Sequence, residues 1–165
     1  MNCKTERRVE YAGTRIMLQS MRAFDEVCAT LEAMIGKADL RALTASASRR
    51  EIEESVARTV GSSGFVIFQV FEHGLLLSVL GLRSLKARLY VIGNPLIAAS
   101  MTKQHPAAAL YVPLRLFVYE EDGRTVVSYD RPSAVLSQFA SREIDETAAM
   151  LDGKMSWLTA EMLGT

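Results

Sequence analysis

Glu72 and His73 are adjacent, and they end the most apolar run of the sequence, Gly64 to Phe71 (G-F-V-I-F-Q-V-F). An imidazole changes charge near neutral pH, so a histidine at the rim of a cleft suits general acid–base work or hydrogen bonding to a ligand. A neighbouring carboxylate, Glu72, would orient it. The competing reading is structural: a histidine at a strand end whose ring bonds a nearby carbonyl. Both readings stand on the sequence alone. His105 precedes Pro106 in a helix-ending turn and fits a surface position. Neither histidine lies in an H-x-E or C-x-x-C spacing, so no metal is expected.

Gly93-Asn94-Pro95 opens a helix, where free N–H groups suit an anion. One glycine falls far short of a phosphate loop, and a strand-to-helix turn explains the same residues. The sequence contains no G-x-G-x-x-G, G-x-x-x-x-G-K or G-x-S-x-G, so neither a nucleotide cofactor nor a serine nucleophile is expected. Glu120, Glu121 and Asp122 read as a solvated hairpin tip. Met17, Met21, Met34, Met101, Met150, Met155 and Met162 mostly fall at helical core positions. Core packing accounts for them, with a pliable pocket for an apolar ligand as the sharper alternative.

These residues need a scaffold, and the chain can build one. Its 165 residues suit a single domain, with 49% hydrophobic and 23% charged residues. A chain of this length buries roughly 70% of its unfolded surface and needs no disulfide. Lys plus Arg and Asp plus Glu both number 19. That balance, with no basic stripe, argues against nucleic acid as a partner. Cys3 and Cys28 read as free thiols in a reducing compartment. Residues 1–10 are polar and charged, unlike a secretory leader, so a cytoplasmic protein is expected. Gly64 to Leu82 is long enough to cross a bilayer, but Gln69, Glu72 and His73 fall in its middle, and each is costly there. A buried strand followed by a short helix is expected instead, with no membrane partner.

Residues 1–7 are expected to be disordered and 8–165 to form one domain. A strand is expected over Arg8 to Gln19, with a bulge at Gly13. Ser20 then caps a helix that carries Phe24, Val27, Leu31 and Ile35 on one face and ends at Gly36. Leu40 and Leu43 fall on one short helical turn. Ser48 and Glu51 form a capping box for a second helix, which Gly61 stops. Phe65 to Phe71 is apolar on both faces, so a strand that is central and covered on both sides, or near it, is expected. A short helix over Gly74 to Leu80, a strand over Ala87 to Ile92 and a helix from Pro95 follow. Leu114 to Tyr119 and Thr125 to Tyr129 form a hairpin turning at Asp122-Gly123. A short helix from Arg131 and a long one capped by Ser141 close the chain. The order predicts an α+β fold: a two-layer sandwich of about five mostly antiparallel strands with helices packed on one side.

Five pieces carry a family resemblance: Gly64 to Gly74, Ile92-Gly93-Asn94-Pro95, Leu110 to Arg115, Val118-Tyr119-Glu120 and Tyr129-Asp130-Arg131-Pro132. In order and spacing they resemble the DUF302 family, and Ser20 to Gly36 resembles its N-terminal portion. The resemblance implies an α+β fold in small bacterial or archaeal proteins, often dimeric, whose function is unknown. Carried over by position, His73, Gly93, Asn94, Pro95, Pro113, Glu120, Tyr129 and Pro132 match the family's pattern. Many relatives have aspartate where this chain has Glu72.

The expected function is binding of a small molecule, apolar or of mixed polarity, in a pocket near His73 and the Gly93-Asn94-Pro95 turn. The ligand-binding candidates are His73, Asn94, Met101, Arg115, Glu120 and Tyr129. Two alternatives stand beside it. One is an enzyme with His73 as general base and Glu72 orienting it. The other is a homodimer with a structural role.

Overall fold

In a computed structural model that describes residues 6–39, 41, 45, 48–82 and 84–164, the chain runs β1 (Arg15–Ser20), α1 (Phe24–Met34), β2 (Gly36–Lys37), α2 (Arg49–Thr59), β3 (Val66–Glu72), α3 (His73–Val79), β4 (Ala87–Gly93), α4 (Pro95–Gln104), β5 (Leu114–Glu121), β6 (Arg124–Asp130), α5 (Pro132–Leu136) and α6 (Arg142–Leu163). Short 3-10 turns occupy Pro106–Leu110 and Ser137–Phe139. The expectations at Cys3, Leu40 and Leu43 lie outside the described residues.

The strands form one sheet in the order β1–β6–β5–β4–β3–β2. All pairings are antiparallel except β2 with β3. The fold is α+β with six strands, one more than the sequence pattern predicts. The extra strand, β2, has two residues, too few for periodicity to reveal. It exists because Gly36 lets the backbone pass close to the end of α2: a Cβ there would lie 1.5 Å from Thr59 O. Gly36 therefore does more than end α1, whose C-cap is Ile35.

One face of the sheet carries the core. Tyr90, Ile92, Leu116, Val118 and Val127 are buried there under Phe24, Val27 and Leu31 of α1 and Ile144, Ala148, Leu151, Met155, Leu158 and Met162 of α6. The α6 residues are the ones its four-and-three spacing selects, because that spacing gathers them on one side of a helix. Each such side chain contributes roughly 1.5–3 kcal/mol on burial. Met101, Met155 and Met162 are in the core, whereas Met17, Met21 and Met150 are exposed. The methionines are thus less uniformly interior than their spacing suggests.

Three local expectations change. β1 begins at Arg15, not Arg8, and Gly13 makes no bulge. Its partner β6 ends at Asp130; after the Arg131 N–H bonds Thr14 O at 2.8 Å, Pro132 offers no donor and starts a helix. Ser20 closes β1 rather than capping α1, and its hydroxyl accepts from Arg22 N; α1 starts at Phe24 without a side-chain cap. β3 is not central but lies next to the sheet edge, and Phe71 is exposed. The other expected turns form. Ser48 caps α2 by accepting from Glu51 N, and Ser141 caps α6 by accepting from Ile144 N. Asp122 and Gly123 both take positive φ, 49° and 74°, as a two-residue hairpin turn requires. The Val112–Pro113 peptide is cis.

No helix among the described residues is long and apolar enough to cross a membrane. The Gly64 to Leu82 stretch is divided between β3 and α3.

Candidate functional site

The second face of the sheet is largely free of helices and holds the site. Alternation along β4, β5 and β6 sends Leu89, Val91, Arg115, Phe117, Tyr119, Ser128 and Asp130 to this face, opposite Tyr90, Leu116 and Val127. α3 leaves the end of β3 and packs on β4 beside it. Gly74 permits that approach, since a Cβ there would meet Leu85 O at 1.9 Å.

His73 opens α3 and is exposed. Its ring stacks beside Phe71, with centroids 6.3 Å apart, and meets Phe117 edge-on at 6.1 Å. Next to it lies a pocket of about 470 Å³ lined by Arg15, Leu77, Leu85, Ala87, Leu89, Arg115, Phe117, Ser128, Tyr129 and Asp130. The floor is apolar and the charges gather on one side. There Arg15 donates to both Asp130 oxygens, at 2.8 and 3.2 Å. Arg115 stands opposite Val91 on the neighbouring strand and makes no salt bridge among the described residues.

A second pocket of about 420 Å³ shares Arg15, Arg115 and Asp130 with the first. Tyr11 and Tyr111 wall it, edge to face at 5.8 Å, with Leu110, Pro113, Pro132 and Val135. The Tyr11 phenol titrates above its ordinary value, first through its hydrogen bond with Tyr111 and then through desolvation. Together the two pockets form a groove with a charged centre and two apolar wings.

Glu72 points the other way. Its Oε1 lies 2.6 Å from Arg88 Nε, in an ion pair too poorly aligned to count as a hydrogen bond. Arg88 lies over the Phe24 ring and 3.6 Å from Glu32 Oε1, which also accepts from the Tyr90 hydroxyl at 2.7 Å. Cys28 is buried beside them. Desolvation raises the Cys28 thiol and, more strongly, the Tyr90 phenol above their ordinary values. This network ties α1 to β4.

The remaining candidates are dispersed. Asn94 caps α4, accepting from Leu96 N and Ile97 N, and donates to Gly64 O at 3.0 Å. Antiparallel pairing sets Gly93 beside Val66, at the start of β3, whereas His73 follows its end. A seven-residue strand therefore separates the Gly93-Asn94-Pro95 turn from His73 by about 20 Å. The structure thus does not bring the turn to the His73 pocket. Met101 is 1% exposed and belongs to the core. Glu120 lies on the helix-covered side, 4.0 Å from Lys86 Nζ, which is held more closely by Asp25 at 2.7 Å. Tyr129 borders the His73 pocket, but its phenol is desolvated on the α6 side, which raises it. Of the candidates, His73, Arg115 and Tyr129 border one pocket. His105 is exposed, its ring 4.7 Å from Phe139.

A family profile described as a domain of unknown function, DUF302, matches residues 41–161. The chain belongs to the DUF302 family. The crystal structure of an uncharacterized conserved DUF302 protein from Bacillus stearothermophilus is similar to it with a TM-score of 0.65 and 18% identity, covering 90% of this chain and 97% of that one. At that identity the likeness concerns the fold. No curated protein matches.

In this DUF302 chain, sequence reasoning overlooked Arg15 and Asp130. A signal was present in the hairpin: the residues alternating with Leu114, Leu116 and Val118 are Arg115, Phe117 and Tyr119, which set a charge among aromatics on one face. Arg15 and Asp130 join it only through the β1–β6 register, Arg15 opposite Asp130, which a single sequence does not display. Among the described residues, no three His, Cys, Asp or Glu side chains gather as a metal site would need.

Proposed function

We propose that this protein binds a small molecule of mixed polarity in the pocket beside His73, on the open face of the sheet. One observation carries the reading: His73 and Arg115 border an apolar floor of Leu89 and Phe117, and among the described residues neither side chain makes a salt bridge that holds the fold together. The size, about 470 Å³, is that of small-ligand sites, which combine apolar walls with a few polar groups. The test is His73→Ala. The variant keeps its melting temperature but loses the shift in melting temperature that a ligand found by screening gives the wild type. A fall of several degrees in the unliganded variant would make His73 a structural residue and sink the reading.

A second reading, a homodimer, is favoured by α3 and the turn after it. Leu75, Leu76, Val79, Leu80 and Leu82 are each between 58% and 75% exposed, and neighbouring exposed leucines are a usual mark of an interface. The expected outcome is a dimer in light scattering at micromolar concentration, converted to monomer by Val79→Asp. A monomeric wild type at that concentration removes this reading.

A further inference from the structure

We infer that the groove selects an amphipathic monoanion, a carboxylate carried on an apolar body, with Arg115 as its charge partner. This rests on the pocket reading above and adds the class of ligand. Arg115 lies on β5, second from neither edge of the sheet, among Val91 and Phe117. A charge in the middle of a largely apolar sheet face costs desolvation as soon as anything covers it, unless the cover brings the opposite charge. Arg15 faces the same groove but is occupied by Asp130 in a two-oxygen ion pair. The two guanidiniums and one carboxylate at the centre of the groove leave a single positive charge, which one monoanion neutralises and a dianion overshoots. A guanidinium also presents two parallel N–H donors, the spacing a carboxylate accepts. The apolar body has a bed on the side of His73, over Leu89 and Phe117, with Leu77 as its wall.

The probes are octanoate and its neutral counterpart 1-octanol, titrated into the full chain below micellar concentration. Binding is read by calorimetry and by amide shifts at Leu89 and Phe117. Octanoate binds the wild type about tenfold more tightly than octanol, the size expected of one charge-assisted contact. Arg115→Gln removes that preference, Arg115→Lys restores part of it, and added salt weakens octanoate alone. Arg115 is exposed and makes no salt bridge among the described residues, so these variants fold, which their amide spectra verify. Equal affinity of the wild type for the two probes overturns the anion assignment and leaves the pocket reading standing. Binding of neither probe at these amides overturns both. An octanoate preference undiminished in Arg115→Gln removes Arg115 as the charge partner.

Discussion

Glu72 and His73 share a peptide bond yet face opposite sides of the sheet: Glu72 meets Arg88 beneath α1, at 2.6 Å, while His73 meets Phe117 on the open face. Strand alternation sends Glu72, the last residue of β3, to the helix-covered side, and the chain turns there into α3, whose first residue is His73. Glu72→Gln is therefore expected to lower stability by about 0.5–1 kcal/mol, the range of a half-exposed pair, and to leave ligand affinity at the His73 pocket unchanged. His73→Ala is expected to do the reverse. Urea unfolding and a binding titration on both variants check this. Equal losses of affinity would mean that the two residues act together after all.

Asn94 gives a contrasting expectation. Its side chain satisfies two N–H groups at the start of α4 and anchors Gly64. Asn94→Ala is expected to destabilise the fold by about 1–2 kcal/mol, with no change in affinity once the protein is folded. A drop in affinity at a temperature where the variant is fully native would return this turn to the site.

The network beneath α1 sets an alkaline limit. Cys28 and Tyr90 both titrate above their ordinary values because burial disfavours their anions. A group that holds its proton more tightly when folded contributes its full stability below the unfolded value. That contribution is lost as pH rises through the folded one. With unfolded thiols near 8.5 and phenols near 10, stability is expected to fall progressively above about pH 8.5. Lys86, raised by its hydrogen bond to Asp25, acts in the same direction at higher pH. Urea midpoints between pH 7 and 10.5 measure the slope, and Cys28→Ala should flatten its first part. A midpoint constant to pH 10 would contradict the burial of these groups.

Two glycines separate backbone approach from helix propensity. Gly36→Ala puts a methyl 1.5 Å from Thr59 O and is expected to cost about 3 kcal/mol, as overpacking does. Gly153, inside α6, has nothing within 4 Å of where its Cβ would be, so Gly153→Ala is expected to stabilise the protein by about 1 kcal/mol. Thermal melts of the two variants should move in opposite directions.

The helices were the most legible part of this sequence. Ser48, Ser141 and the α6 stripe from Ile144 to Met162 declare themselves because caps and four-and-three spacing are local. The hairpin was equally plain, since Asp122-Gly123 needs no partner to be read. Relations across the sheet were hidden. That Gly93 lies at the opposite end of β3 from His73, and that Arg15 meets Asp130, follow from register, a long-range property. The apolar run Ile67 to Phe71 also misled, because residues buried by sheet neighbours and those left on an open face have the same composition. His73 and Arg115 could be named from the sequence, but the groove that relates them could not.

The two ends of the sheet differ in kind. β2 offers two residues to solvent, too short a template for another strand, whereas β1 runs six residues and among the described residues is paired only with β6. β2 covers only Val66 and Ile67 of the seven-residue β3, however, so among the described residues each end of the sheet keeps backbone groups to which another strand can add.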